Sequence, residues 1–248
     1  MSGHSKWSTI KRKKEKTDGA RAKVFTKIGR ELAVAVKQGG PDPSSNSKLK
    51  DAIAKAKAAN IPNDNIDRAI KKAAGDSEGD NYESIMYEGY GPSGIAVIVE
   101  TLTDNRNRTA GSVRHYFDKY GGNMGQSGCV SFMFERYGVI AVEKEDVDED
   151  ALMEAAIDAG ATDFLSDDDD VYEIRTEPND LGTVRDALEE KGYKFVNADV
   201  EYIPSSYVKL TDEGDLKNMS NMIDMFDEDD DVQAVWHNWE NVEDAENL

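Results

Sequence analysis

The stretch GIAVIVETLTDNRNRTAGSVRHYFDKYGG, residues 94–122, decides the fold class. Its first ten residues, 94–103, are rich in the branched apolar side chains that suit a buried strand. The rest opens on a capping aspartate, Asp104, keeps helical spacing through Val113, Phe117 and Tyr120, and stops at a double glycine. GCVSFMFER (128–136) reads as the returning strand, so the segment is a β-α-β unit. A second unit opens at YGVIAVEK (137–144): a strand, a helix over 148–159, strands near 162–166 and 170–176, a helix over 179–191 and a strand over 193–203. That order is βαββαβ, the ferredoxin-like arrangement. YVKL (207–210), a helix over 212–226 and DVQAVWHNW (231–239) then supply a closing β-α-β. The economical reading is a split α+β domain, 80–136 and 205–240, with a ferredoxin-like domain inserted at 137–204.

Upstream the pattern is helical. Asp18 caps a helix that Gly39-Gly40-Pro41 stops; Phe25, Ile28, Leu32 and Val36 form its apolar stripe, with Lys23, Lys27, Arg30 and Lys37 on the opposite face. A second helix, about 47–59, places Leu49, Ile53 and Ala56 on one side. A third runs from Pro62-Asn63 to Gly75, with Ile66, Ile70 and Ala73 inward and Arg68, Lys71 and Lys72 outward. Residues 1–79 therefore read as a basic three-helix domain behind a flexible tail. The fold class is α+β: this bundle plus two ferredoxin-like α/β domains, one inserted in the other.

The charge is divided unevenly. The 248-residue chain carries a formal net charge of −20, yet residues 1–75 hold 18 Lys and Arg against 7 Asp and Glu, a balance of +11. Residues 76–248 hold 12 against 43, a balance of −31. A positive end on an acidic body points to a polyanion as partner. The opening SKWSTIKRKKEK concentrates that charge in Lys6, Lys11, Arg12, Lys13, Lys14 and Lys16, opposed only by Glu15, with Trp7 as a stacking surface. A basic terminus is often only solvated. Here the charge continues into the first helix through Arg21, Lys23, Lys27 and Arg30, which favours nucleic acid. No apolar run is long enough for a membrane helix, and no apolar segment follows the basic residues as in a secretory signal. One cysteine, Cys129, forms no internal disulfide, and the expected compartment is the cytoplasm.

Other motifs are weaker. Arg108, Ser112, His115 and Lys119 share one face of the 104–120 helix; with Arg106 and Arg114 they form a candidate second phosphate-contact surface, against a plain solvated face. GYGPSG (89–94) spells a dinucleotide fingerprint but carries Pro92 and precedes a strand, so it reads as a turn. GGNMGQSG (121–128) could converge backbone N–H groups on a phosphate, although a helix stop and connection is the stronger reading. The runs Asp167–Asp170 and Asp227–Asp231 lack EF-hand spacing and read as solvated loops.

Three blocks carry a resemblance: GHSKWSTIKRKKEKTDGARAKVFTKIGREL, YEGYGPSGIAVIVETLTDNRNRTAGSVRHYFDKYGGNMGQSGCVSFMF and DEDDDVQAVWHNW. They resemble the YebC/PmpR family, whose mitochondrial relative is the translational activator of cytochrome c oxidase subunit I. Cys129 stands where that family more often has serine. The resemblance implies a three-domain α/β protein without enzymatic activity. It implies either a DNA-binding transcriptional regulator or a ribosome-associated translation factor acting near the peptidyl transferase centre. The expected partner is thus nucleic acid, ribosomal RNA or promoter DNA, with no cofactor, metal, membrane or small-molecule substrate, and the protein is expected to be a monomer. The competing readings are a metal-dependent nuclease or phosphotransferase using the aspartate runs, and a protein-interaction module.

Overall fold

The computed structural model describes residues 18–75 and 81–245, with the side chains of 18–22 left out. The expected tail, including Lys6, Trp7, Lys11, Arg12, Lys13, Lys14 and Lys16, lies outside the described residues, as does the side chain of Arg21. Among the described residues are seven α-helices and two four-stranded sheets. They fall into two compact units, Glu135–Ile203 and the remainder of the described chain.

The larger unit begins with three helices, α1 (Asp18–Gly39), α2 (Ser47–Ala58) and α3 (Asn63–Gly75). Ile28, Leu32, Ala35 and Val36 of α1 pack on Leu49, Ala52 and Ala56 of α2 and on Ile66 of α3. Phe25, expected in this stripe, is exposed instead, as is Val24. The α1–α2 turn is held by Asn46, whose buried side chain accepts from Leu49 N (3.1 Å) and donates to the carbonyls of Ala35 and Gly40, both at 2.8 Å. One residue thus caps α2 and satisfies two carbonyls at the end of α1.

Next come β1 (Glu83–Tyr90), β2 (Ala96–Thr103), α4 (Arg106–Lys119) and the two-residue β3 (Asn123–Met124); after the smaller unit follow α7 (Glu213–Glu228) and β8 (Val232–His237). The sheet order is β3-β1-β2-β8, with neighbouring strands antiparallel. Ile95, Val97 and Val99 face Val113 and Phe117 of α4 and Leu216, Met219, Ile223 and Phe226 of α7, and Phe117 meets Phe226 edge-on at 5.3 Å. This is the expected two-layer α+β arrangement, with different connectivity. The hairpin β1–β2, joined by the Pro92–Gly94 turn, sits at its centre, and β1 was not foreseen. YVKL makes only an isolated parallel bridge, Val208 with Trp239. GCVSFMFER is not a returning strand. It forms a loop and a short turn, Ser131–Met133, before β4 begins at Phe134.

The smaller unit runs β4 (Phe134–Glu143), α5 (Glu149–Asp158), β5 (Asp163–Leu165), β6 (Val171–Thr176), α6 (Leu181–Glu190) and β7 (Asn197–Pro204). Its sheet order, β5-β6-β4-β7, is ferredoxin-like. Alternate residues Ile140 and Val142 of β4, with Tyr172 and Ile174 of β6, meet Leu152, Ala155 and Ala156 of α5 and Leu181, Val184 and Leu188 of α6. In the Asp167–Asp170 run, Asp168 is buried rather than solvated: its Oδ1 accepts from Asp170 N and Val171 N and turns the chain into β6.

Replacing Asn46 by Ala removes a cap and leaves two carbonyls without their donor, so Asn46→Ala should lower unfolding free energy by about 2–3 kcal/mol. A fall in the urea midpoint with an unchanged slope is the expected result.

Candidate nucleic-acid interface

Three cations of the α1 stripe are drawn onto a neighbouring part of the fold and are only partly exposed. Lys23, Lys27 and Arg30 lie one above another on α1, at spacings of four and three, and that face rests on the turn from α7 to β8. Lys23 Nζ donates to the carbonyl of Glu228 (3.5 Å) and Lys27 Nζ to that of Asp227 (3.0 Å). Arg30 Nη1 donates to the carbonyls of Asp230 (2.8 Å) and Leu102 (3.2 Å) and to Asp231 Oδ1 (2.7 Å). The attraction is elementary. The last carbonyls of α7 have no partner within the helix and form the negative end of its dipole, and five acidic residues, 227–231, follow there. Lys23, Lys27 and Arg30, expected as phosphate contacts, thus form a clamp joining α1 to the α7–β8 turn.

Asp231 is the centre of this clamp. It is 5 % exposed, although the run it closes reads as a solvated loop. Besides Arg30, its carboxylate accepts from Arg108 Nη2 (2.8 Å), Thr109 Oγ1 (2.7 Å) and Thr103 Oγ1 (3.2 Å). Its own carbonyl accepts from Leu102 N at 2.7 Å. Burial pushes the carboxyl pKa up, but the hydrogen bonds from Arg108, Thr109 and Arg30 outweigh it and hold it at about 2. Arg108 is in turn held more firmly charged by its hydrogen bonds to Asp231 and Asp104. Arg108 is therefore committed to the fold at one edge of its guanidinium. Asp104, expected as the α4 cap, pairs with Arg108 at 2.6 Å, while Asn105 caps the helix by accepting from Arg108 N.

The outer face of α4 answers to the expectation differently. Thr109, Val113 and Phe117 are buried, which turns His115 and Lys119 outward with Arg114 at their flank, all exposed; Arg106, in line with the buried stripe, is exposed as the first residue of the helix. Lys119 Nζ lies 5.0 Å from the centre of the Tyr120 ring. On the bundle, Lys57 of α2 and Arg68, Lys71 and Lys72 of α3 are also exposed. The cations open to a polyanion are thus those of α4 and of the outer bundle rather than the α1 stripe.

The glycine-rich loop does gather backbone donors, but onto an internal anion. Glu88 of β1, 7 % exposed, accepts from Gly128 N (2.8 Å) at Oε1, and from Val130 N (2.9 Å) and Ser131 N (2.8 Å) at Oε2. Burial would raise its pKa, yet these hydrogen bonds carry it below the usual carboxylate range. This arrangement also explains why 128–131 is no strand: its N–H groups are spent on a side chain. The close approach of α4 and β3 to β1 needs glycine. A Cβ on Gly122 would stand 2.5 Å from the carbonyl of Tyr90, and one on Gly89 would stand 2.5 Å from that of Asn123.

Among the described residues, no group of three or more His, Cys, Asp or Glu side chains is placed to hold a metal ion, and no helix is long and apolar enough to cross a membrane. Asp231 and Glu88 escaped the sequence reading. Neither carries a local signal, since one ends an acidic run and the other sits in a strand that was not recognised.

Two family models match the chain: the TACO1/YebC N-terminal domain over residues 5–76, and the TACO1/YebC second and third domain over 82–239. A protein of Ruminiclostridium cellulolyticum named "Probable transcriptional regulatory protein" is 63% identical over 220 residues, 88% of each chain. One of the same name from Acetivibrio thermocellus is 61% identical over 221 residues, 89% of this chain and 91% of that one. Among solved structures, a conserved hypothetical protein from Aquifex aeolicus is 46% identical, with a TM-score of 0.81, covering 91% of this chain and 92% of the other.

The Asp231 carboxyl pKa is depressed from 3.8 to about 2, so its stabilisation is present above pH 3.8 and is lost as pH falls through 2. A shift of that size corresponds to roughly 2 kcal/mol. Asp231→Asn should therefore destabilise the protein by at least about 2 kcal/mol at pH 7. The gap between variant and wild type, followed by urea unfolding at several pH values, should close as pH falls from 4 towards 2.

Proposed function

The chain belongs to the TACO1/YebC family, and we propose that it is a non-enzymatic regulator of gene expression that works by binding nucleic acid. One observation carries the reading: in a chain of net charge −20, the exposed side chains of Arg114, His115 and Lys119 lie on the outer side of a helix whose other face is locked to the sheet, with Arg106 exposed at its start. Lys57, Arg68, Lys71 and Lys72 are further exposed cations on the bundle, and the Lys6–Lys16 tract adds the densest charge of the sequence. The acidic remainder disfavours any other approach, so the protein meets a polyanion with its basic side foremost. The names of the relatives in Ruminiclostridium and Acetivibrio support a role in transcription. Resemblance to a translational activator supports ribosomal RNA instead. Both ligands offer the phosphate backbone that these cations would neutralise. Catalysis has no assigned residue in this proposal, and the protein acts by occupancy. Crosslinking in cells followed by sequencing of the attached nucleic acid separates the two ligands. Ribosomal RNA near the catalytic centre supports the translational role, discrete promoter DNA supports the transcriptional one, and recovery of neither overturns the proposal.

Electrostatic binding of this kind makes log K fall linearly with log[salt], with a slope set by the number of phosphates contacted. The double variant Arg114→Gln/Lys119→Gln, and deletion of residues 1–16, should each weaken binding and flatten that slope. Lys27→Gln should leave the slope unchanged and lower only thermal stability, because Lys27 serves the fold. Anisotropy titrations at several salt concentrations, paired with thermal melts, check both statements.

A further inference from the structure

Besides the charged face of α4, the larger unit carries an apolar feature that phosphate binding does not use. Phe132, in the Ser131–Met133 turn, is 76 % exposed, the most exposed large apolar side chain among the described residues. Isolated exposed apolar residues are ordinary on protein surfaces. This one differs in how firmly its loop is held. Glu88 fixes Gly128, Val130 and Ser131 by their N–H groups. Gly125 N donates to the Glu88 carbonyl (2.8 Å), and Tyr90 Oη donates to the Cys129 carbonyl (3.1 Å). Met133 N closes the turn onto the Val130 carbonyl (2.9 Å), and the Met133 carbonyl accepts from both N and Oγ of Ser205, each at 2.9 Å. The ring is thus presented on a backbone with little freedom left to lose on binding.

Its surroundings say what it is presented to. Residues 121–134 contain no Asp, Glu, Lys or Arg, in a chain of which 32% is charged. The carboxylate closest to the loop in hydrogen-bonding terms, Glu88, is buried and already engaged by its N–H groups. Nothing in the loop itself therefore repels a phosphate. The loop starts where α4 ends: Lys119 and Tyr120 lead through Gly121 and Gly122 to Asn123, which pairs with Tyr90 of β1. Tyr90 is itself 37 % exposed. A cationic helix face therefore runs into an uncharged, well-held loop that bears one exposed aromatic ring, Phe132, with a second, Tyr90, on the strand beside its start. Cations for the backbone and aromatic faces for the bases are together the way proteins hold single-stranded nucleic acid.

Resting on the nucleic-acid reading above, we infer that Phe132 stacks on an unpaired base of a single-stranded or looped segment, with Tyr90 at the root of the same loop and the α4 cations on the flanking phosphates. A regular duplex keeps its base faces stacked inside and offers Phe132 nothing. The assignment therefore makes the ligand an unpaired region of nucleic acid, whatever its sequence. The pairing is tolerant of base identity, since every base has a π-face.

The test uses the full chain, a short unstructured RNA, and the same RNA annealed to its complement, with binding read by anisotropy. Phe132→Ala should weaken single-strand binding about 5- to 100-fold, the range of one lost stacking contact. It should leave duplex affinity within about twofold and the salt slope unaltered, because no phosphate contact is lost. Phe132→Trp should restore single-strand affinity, and its new indole fluorescence should be quenched on binding. If Phe132→Ala binds the single strand as wild type does, while Arg114→Gln/Lys119→Gln weakens it, the stacking role fails and the nucleic-acid reading stands. Equal losses on single strand and duplex also overturn it, because the side chain would then be serving the fold. Failure of the wild-type protein to bind either RNA at low salt removes both readings and leaves Phe132 as a contact for an apolar protein partner.

Discussion

The carboxylate of Asp231 is the point on which the larger unit hangs. Arg30 reaches it from the helical bundle, Thr103 from the end of β2, and Arg108 and Thr109 from the first turns of α4. Asp231 itself ends the turn that leads from α7 into β8. A single buried anion therefore ties four segments, and the hydrogen bonds from Arg30 to Leu102 O and from Thr109 to Thr103 reinforce the same junction. A buried charge is costly by itself and is sustained only when every lone pair is used and counter-charge is close. Two guanidinium groups and two hydroxyls meet that requirement. Losing any of the donors would expose the desolvation cost of the rest, so the node behaves as a unit.

Glu88 applies the same principle on a smaller scale and to a different end. A glycine-rich loop with several N–H groups aimed inward is an anion-binding cradle in chemical terms. Here the anion is part of the chain. By filling the cradle itself, the protein forgoes a phosphate site in the loop and obtains a firm platform in exchange. The firmness is what gives the exposed ring of Phe132 its significance, since an aromatic side chain on a mobile loop would lose much of its binding energy to ordering.

The two nodes also divide the basic residues by task. Cations near the negative end of α7 were captured by it, whereas Arg114 and Lys119 of α4 remained exposed. Had the reading stopped at charge, Lys27 and Arg114 would have looked alike. What separates them is the surface each meets: for Lys27 a row of unsatisfied carbonyls, for Arg114 water.

Much of the architecture was legible in the chain by itself, because periodicity and punctuation are local. The bundle helices, the strand of residues 96–103, α4 and the βαββαβ order of the smaller unit all follow from apolar spacing and from caps and glycine stops. The charge division between residues 1–75 and the rest is a property of sequence alone. Tertiary structure decided the remainder. Strand β1 was hidden because its buried residues alternate poorly, and GCVSFMFER imitates a strand while sending its N–H groups to Glu88. Above all, an acidic run looks the same whether it is solvated or buried. Only the fold, by bringing Arg30 and Arg108 from positions some 200 and 120 residues away, turned the last aspartate of one such run into a structural centre. Pairing across such separations leaves no trace in local composition, because it depends on which helix ends and which cations the folded chain happens to place together.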